Sequence, residues 1–225
     1  MASFLIYIAL LMIIPIWAQT RVKTTYTKFS KKPTSSQMTG AEVARRILDD
    51  NGLYNVQIGQ AKGGTLSDHY DPRTKMVNLS KDIYHGRSMA SSAVAAHEVG
   101  HAMQDQEEYA FMRFRSALVP IANFGSNISF YLILAGILFN FTGMILFGII
   151  FMSAAVLFQL VTLPVEFDAS NRAMTQLVSV GIIRNDEERD TKKVLNAAAL
   201  TYVAAALVAV LELVRFIMIY LSSRD

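Results

Sequence analysis

The chain has 225 residues, 52% of them hydrophobic, and its 21 Lys and Arg residues exceed its 18 Asp and Glu residues by a net charge of +3. It contains no Cys, which excludes disulfide bonds and leaves His and carboxylate side chains as metal donors. The basic residues are not interleaved with aromatic ones as in RNA- or DNA-binding proteins, so nucleic acid is not an expected partner.

The chain begins with a strongly apolar segment. Residues 3–18 are uncharged, which predicts a short transmembrane helix. A cleaved signal peptide is the alternative, but no Lys or Arg precedes the apolar run and no small-x-small cleavage site follows it. Residues 24–38 are then polar and rich in turn-forming residues, which predicts a linker.

Further apolar segments lie in the second half of the chain. No charged residue occurs between Arg115 and Glu166, which is enough for two spans of about 20 residues each, with a turn expected at residues 140–143. A last apolar stretch at residues 194–221 predicts a fourth span. It contains Glu212 and Arg215, which are spaced to pair on one helix face.

The distribution of basic residues predicts the membrane topology. Fourteen Lys and Arg residues lie between positions 20 and 117, five lie between 164 and 194, and only Arg215 and Arg224 lie elsewhere. With four spans, both basic regions are on the same side, and basic residues near span ends mark the cytoplasmic face. We therefore expect these regions in the cytoplasm and both termini outside it.

The first polar region has the pattern of a small folded domain. Thr39 and Glu42 form a capping-box pattern, and the helix that they begin is expected to end near Asn51 and Gly52. Residues 54–57 and 75–79 have strand patterns. A short sheet is therefore expected before the next helix, and its exposed strand could bind an extended polypeptide.

A metal-binding pattern follows this sheet. The sequence His97-Glu98-Val99-Gly100-His101 lies in an Ala-rich, helix-favouring segment. Two His residues four positions apart share a helix face, so both imidazoles can bind one zinc ion while Glu98 acts as general base. Two His ligands and one further protein ligand leave a coordination position open for water, as in catalytic zinc sites.

Position alone does not identify the third ligand. The candidates on the same side of the membrane are Asp68, His69, His85, Asp105, Glu107, Glu108, Glu166 and Asp168. Glu166 and Asp168 stand out because they directly follow a span, and a Glu on a second helix commonly completes such a site. Acidic residues at this position are equally typical of solvated helix-start charges.

Three of these candidates, His69, His85 and Asp105, have other expected roles. His69 could donate to a developing oxyanion or simply cap a tight turn formed by residues 68–72. His85 is expected in a loop. Asp105 lies one turn after His101, where it could support the metal ligands from behind or be a solvated helix-end charge.

Four segments together resemble a known family. They are DHYDPR at residues 68–73, AAHEVGHAMQ at 95–104, TLPVEF at 162–167 and NAAALTYVAA at 196–205. In this order they resemble the YugP-type family of bacterial membrane neutral zinc metallopeptidases. The resemblance covers nearly the whole chain beyond the first span and implies a zinc-dependent, gluzincin-like peptidase in the bacterial inner (plasma) membrane.

A more distant resemblance concerns the ligand set. The site is similar to that of HtpX-type membrane peptidases, in which the Glu of a Glu-x-x-x-Asp motif binds the metal. That register implies His97, His101 and Glu166 as ligands of one zinc ion per chain. Ser170 stands where the motif has Asp, so Ser170, Asp168 and Asp105 are the candidates to support the ligands from behind.

These observations predict a mostly α-helical membrane protein with four transmembrane helices and a small α+β, zincin-like metallopeptidase domain on the cytoplasmic side. The expected parts are an anchor helix at 1–19, a linker at 20–38, the catalytic domain at 39–115, a two-span hairpin at 116–163, a third-ligand helix and loop at 164–193, and a last span with a short tail at 194–225.

The expected function is zinc-dependent endopeptidase activity on membrane or membrane-proximal proteins, with Glu98 as base and His69 as a further catalytic candidate. A catalytically inactive zinc-binding membrane adaptor or scaffold is the alternative, but a purely structural site needs no base and usually has four protein ligands. The lipid bilayer and a polypeptide substrate are the expected partners. The sequence leaves open a homo-oligomer or an accessory membrane protein.

Overall fold

The computed structural model describes residues 2–223, with side chains from Leu5 onward. It confirms the expectation of a mostly helical chain with one small sheet. The elements in chain order are α1 (Ala2–Phe29), α2 (Gly40–Asp50), β1 (Gln57–Gln60), β2 (His69–Asp71), β3 (Met76–Leu79), α3 (Lys81–His85), α4 (Met89–Gln106), α5 (Ala110–Leu138), α6 (Thr142–Ser179) and α7 (Asn185–Ser222).

In the described part of the chain, four helices are long and apolar enough to cross a membrane, as expected, and they comprise Leu5–Phe29, Ala110–Leu138, Thr142–Ser179 and Asn185–Ser222. The prediction of a linker from residue 20 is wrong, because α1 continues to Phe29. Neither Pro nor Gly occurs between Pro15 and Pro33, so nothing in this segment breaks the helix. The non-helical connection is therefore only residues 30–39.

The second half of the chain has fewer breaks than predicted. The turn of the hairpin lies between Leu138 and Thr142, close to the expected position. The predicted boundary between residues 163 and 164 falls inside α6, because Pro164 lies within that helix rather than ending it. Helix α7 begins at Asn185, before the predicted span. Arg224 and Asp225 lie outside the described residues.

Contacts divide the chain into two compact units. The apolar unit comprises Met1–Ile16, Ala110–Val165 and Tyr202–Asp225, and the polar unit comprises Trp17–Tyr109 and Glu166–Thr201.

Within the apolar unit, helices approach closely at glycines. A Cβ on Gly125 would lie 2.6 Å from the carbonyl oxygen of Phe151, a small-residue contact typical of membrane helices. Large apolar side chains such as Phe139 and Phe147 face outward, 78% and 61% exposed, as expected for contact with lipid. The Arg215 guanidinium lies 4.4 Å from the centre of the Tyr7 ring. The pairing of Arg215 with Glu212 stays a prediction.

The polar unit begins with the expected capped helix. The Thr39 side chain accepts a hydrogen bond from the Glu42 backbone N–H, and the Glu42 carboxylate accepts one from the Thr39 backbone N–H. Val43, Ile47 and Leu48 are fully buried on one face of α2, which packs against α4.

The sheet has the order β1-β3-β2, with β1 parallel and β2 antiparallel to β3. The strand expected at residues 54–57 begins only at Gln57, because residues 51–55 still form the turn after α2. The tight turn expected around His69 is instead the edge strand β2, where Tyr70 pairs with Val77. The strand expected near residues 75–79 is confirmed as β3.

The polar unit also contains a close contact between two helices, α4 and α6. Helix α4 begins at the N-cap Ser88, whose side chain accepts from the Ser91 backbone N–H. At Gly100 the backbone of α4 meets α6 directly, since a Cβ at this position would lie 2.6 Å from the carbonyl oxygen of Ala169. Only glycine permits this separation of the two helices.

We expect Gly100→Ala to lower the melting temperature of the detergent-solubilised protein. The added Cβ would meet backbone atoms of Ala169, and overpacking of this kind costs about 1–3 kcal/mol, more than the gain of about 1 kcal/mol in helix propensity. Gly64→Ala is the matched control, because no atom lies within 4 Å of its Cβ position. Equal melting temperatures for both variants and the parent would contradict the assigned contact.

Candidate metal centre

Helix α4 brings the two predicted histidine ligands together. His97 and His101 lie four residues apart on the same face, with ring centroids separated by 4.8 Å. Both Nε2 atoms face the carboxylate of Glu166 on α6. The distances to Glu166 Oε2 are 3.3 Å from His97 and 3.6 Å from His101. All three side chains are largely shielded from solvent, with Glu166 only 2% exposed.

This donor set fits a tetrahedral metal ion. One atom from each of His97, His101 and Glu166 lies within 4.8 Å of the others. Two donors about 2.0–2.1 Å from a tetrahedral zinc ion are themselves separated by about 3.3–3.4 Å, close to both His–Glu distances. Two imidazoles and one carboxylate form a chemically suitable set, so these residues could hold zinc with one position left for water.

The far side of the His97 ring contacts Ser170. The distance between Ser170 Oγ and His97 Nδ1 is 3.2 Å. Ser170 lies four residues after Glu166 on α6, so both side chains reach the same histidine from one helix face. Ser170 stands where the Glu-x-x-x-Asp motif has Asp, and its hydroxyl contacts His97 in place of a carboxylate.

The far side of the His101 ring contacts Gln104, a residue that the sequence reasoning did not single out. His101 Nδ1 lies 3.0 Å from Gln104 Oε1, and Gln104 is fully buried. The Gln104 Nε2 donates to Asp168 Oδ2 at 2.8 Å. The sequence spacing could have indicated this contact, because a polar residue three positions after a helical ligand lies beside it.

Asp168 therefore lies behind the histidines. Besides the bond from Gln104, its carboxylate accepts from Arg172 Nε at 2.6 Å, and Arg172 also donates to Glu107 at 2.8 Å. Residues two apart on a helix point about 200° away from each other. This spacing explains why Glu166 faces the two Nε2 atoms and Asp168 does not.

Glu98 is a buried carboxyl group beside the first histidine, with only 7% of its surface exposed. Burial raises the pKa of Glu98 to about 7, and the negative charges of Asp68 and Glu166 act in the same direction, while His97 and His69 oppose it. A bound cation would also oppose the shift. A carboxyl group that titrates near neutral pH can both accept and deliver a proton.

His69 lies on the edge strand β2, exposed to solvent. Its Nδ1 is 2.9 Å from the Ser67 carbonyl oxygen. A positive charge on the His69 ring acts to lower the pKa of Glu98. The preceding Asp68 accepts hydrogen bonds from the backbone N–H and hydroxyl of Ser80. These bonds fix the start of β2, so His69 has a defined position near Glu98.

Asp105 has neither of the two roles that its position suggested. Its carboxylate accepts from the Tyr70 hydroxyl and from Lys75 Nζ, each at 2.6 Å. These bonds join the end of α4 to β2 and to the turn before β3, whereas the residue that contacts His101 is Gln104. Asp105 therefore positions the sheet rather than the histidine.

The expectation that His85 lies in a loop is wrong. His85 is the last residue of the short helix α3, and its Nε2 lies 2.8 Å from Gln60 Nε2. The metal-ligand grouping found among residues 2–223 contains His97, His101 and Glu166, and it includes neither His85 nor His69.

Comparisons with known proteins agree with this geometry. A family model described as "Putative neutral zinc metallopeptidase" matches residues 4–221. The chain is 54% identical over 209 residues to "Putative membrane protease YugP" of Bacillus subtilis (strain 168), a match that covers 93% of this chain and 92% of the relative. No solved structure matches the chain. Because the family match and the relative both extend over nearly its whole length, the chain belongs to this neutral zinc metallopeptidase family.

Proposed function

We propose that the protein is a membrane-embedded, zinc-dependent endopeptidase. The observation that carries this proposal is the approach of His97, His101 and Glu166 at distances suited to one tetrahedral ion, with the buried carboxyl group of Glu98 beside them. Three protein ligands and an adjacent base are the components of a hydrolytic zinc site.

His97, His101 and Glu166 would hold one zinc ion per chain. Bound zinc supplies a Lewis acid that polarises a peptide carbonyl and makes water acidic enough to lose a proton near neutral pH. Glu98 accepts that proton and later delivers it to the leaving amine. We assign His69, whose Nδ1 donates to the Ser67 carbonyl oxygen, as the candidate that in its imidazolium form donates from Nε2 to the substrate carbonyl oxygen as negative charge develops on it.

A zinc-binding adaptor without catalysis is the alternative function. A structural zinc site usually has four protein ligands, whereas the grouping found in residues 2–223 supplies three. Burial of a carboxyl group is unfavourable, and a structural site does not need Glu98 beside its ligand. A burial without a purpose would therefore be unexplained in an adaptor. Both features favour the hydrolase.

We further propose that the site faces the cytoplasm from the bacterial plasma membrane, with both termini outside. The basic residues are concentrated at positions 20–117 and 164–194, as expected of cytoplasmic segments. Glu166 directly follows the charge-free segment of α6 in the sequence. Membrane proteins and their membrane-proximal tails are therefore the substrate class that we propose.

The role of Glu98 predicts that Glu98→Gln retains zinc but loses peptide hydrolysis by roughly 10²- to 10⁴-fold, the usual contribution of a general base. Zinc content by metal analysis and cleavage of a peptide library by the purified protein test this. Asp50→Asn is the control, because it removes an exposed carboxylate at the end of α2. Near-normal turnover of Glu98→Gln would overturn the assignment.

His69→Gln tests the second catalytic candidate in the same assay. If His69 contacts the reacting carbonyl, kcat falls while zinc content and melting temperature remain at parental values. A variant with unchanged kcat would leave His69 a structural role in β2, without affecting the assignment of Glu98.

The ligand assignment predicts different results for the two carboxylates of α6. Glu166→Ala removes a metal donor, so zinc occupancy falls and activity is lost. Asp168→Ala leaves all three donors in place and retains most of the metal. The reverse pattern, measured by metal analysis of the purified variants, would show that the ligand is Asp168.

The proposed topology predicts opposite locations for reporters at different positions. A reporter fused after Asp225 is expected outside the cytoplasm, whereas tags near Pro33 or Asp186 are expected inside. Accessibility of the tags to a membrane-impermeant reagent, in whole cells and after permeabilisation, distinguishes the two sides. A cytoplasmic C-terminus would contradict the number or orientation of the spans.

A further inference from the structure

Gln104 links a metal ligand to a charged pair behind it. Its amide oxygen lies 3.0 Å from His101 Nδ1, and its amide nitrogen lies 2.8 Å from Asp168 Oδ2. Asp168 is in turn paired with Arg172 at 2.6 Å. The series therefore runs from a guanidinium on α6, through a carboxylate and a buried amide, to a ring nitrogen on α4.

The chemistry of these groups fixes the direction of each hydrogen bond. A carboxylate paired with a guanidinium only accepts, so the Gln104 group that faces Asp168 must be the NH2. The amide oxygen is then the group that faces His101, and an amide oxygen only accepts. The proton on the His101 ring must consequently be on Nδ1, which leaves the lone pair on Nε2.

We propose that Gln104, oriented by Asp168, is a positioning residue that holds His101 in the tautomer and ring orientation needed for metal binding through Nε2. This inference rests on the proposed zinc site and assigns a role that the ligands alone do not show. The second nitrogen of a metal-binding histidine commonly donates to such a partner, which orients the ring and increases its basicity.

The two histidine ligands are held differently. His97 Nδ1 faces the hydroxyl of Ser170, which can either donate or accept and so does not select a tautomer. His101 faces an oxygen whose direction is fixed by a charged group. Replacement of the amide therefore has a specific consequence for His101.

Zinc affinity of the purified full-length protein, measured by competition with a chelator, tests the proposal without using activity. Gln104→Met keeps the approximate size of the buried side chain and removes the acceptor, so we expect zinc to bind about 10- to 100-fold more weakly. Asp168→Ala removes the carboxylate that orients the amide, so we expect a smaller loss of affinity that still leaves most of the metal bound at saturating zinc.

The decisive variant combines Asp168→Ala with Gln104→Glu. A carboxylate at position 104 can only accept from His101 in either orientation, so it no longer needs Asp168, and Arg172 remains nearby to balance its charge. We expect this double variant to recover affinity relative to Asp168→Ala alone. A purely structural role for Gln104 predicts a further loss instead, because a second change is made in a buried position.

The outcomes separate this inference from the proposed function. Parental zinc affinity in Gln104→Met, or no recovery in the double variant, overturns the role of Gln104 and leaves the peptidase proposal intact. A parent protein that binds no zinc overturns the proposed function and this inference with it. Melting temperatures of the metal-free variants show whether a loss of affinity is instead a loss of fold, which would also count against a positioning role.

Discussion

The close approach of α4 and α6 is the constraint on which the site depends. The contact between Gly100 and Ala169 places two backbones side by side without intervening side chains. His97 and His101 lie within one turn of this contact on α4, and Glu166 lies one turn before it on α6. A larger separation of the helices would increase both His–Glu distances beyond what one ion can bridge.

The electrostatics around this contact favour a cation. Glu98, Glu166 and Asp68 are carboxyl groups close enough for the latter two to raise the pKa of the first. Buried like charges are unfavourable unless a positive charge compensates them. A divalent ion held by the imidazoles and Glu166 would provide that compensation.

Local patterns in the sequence were sufficient for much of this architecture. The His-Glu-x-x-His spacing, the Thr39 capping box and the charge-free segment before Glu166 each depend on neighbouring residues, and the corresponding elements are present. The positions of the α1 end and of β2 were wrong, because a polar helix continuation and a three-residue edge strand have weak local signals. Gln104 was missed although it lies three residues after His101, because its contact with Asp168 joins residues distant in sequence.

The division of the donor set between two helices has a consequence for the order in which a working site can appear. Both histidines precede α5 and the first part of α6, and His97 and Glu166 are 69 residues apart. During synthesis the two imidazoles emerge first, as an incomplete pair that binds metal more weakly than the full set. Only after the hairpin has been made and Glu166 has followed it can α6 pack on Gly100. A complete donor set is thus delayed until both α5 and α6 have been made.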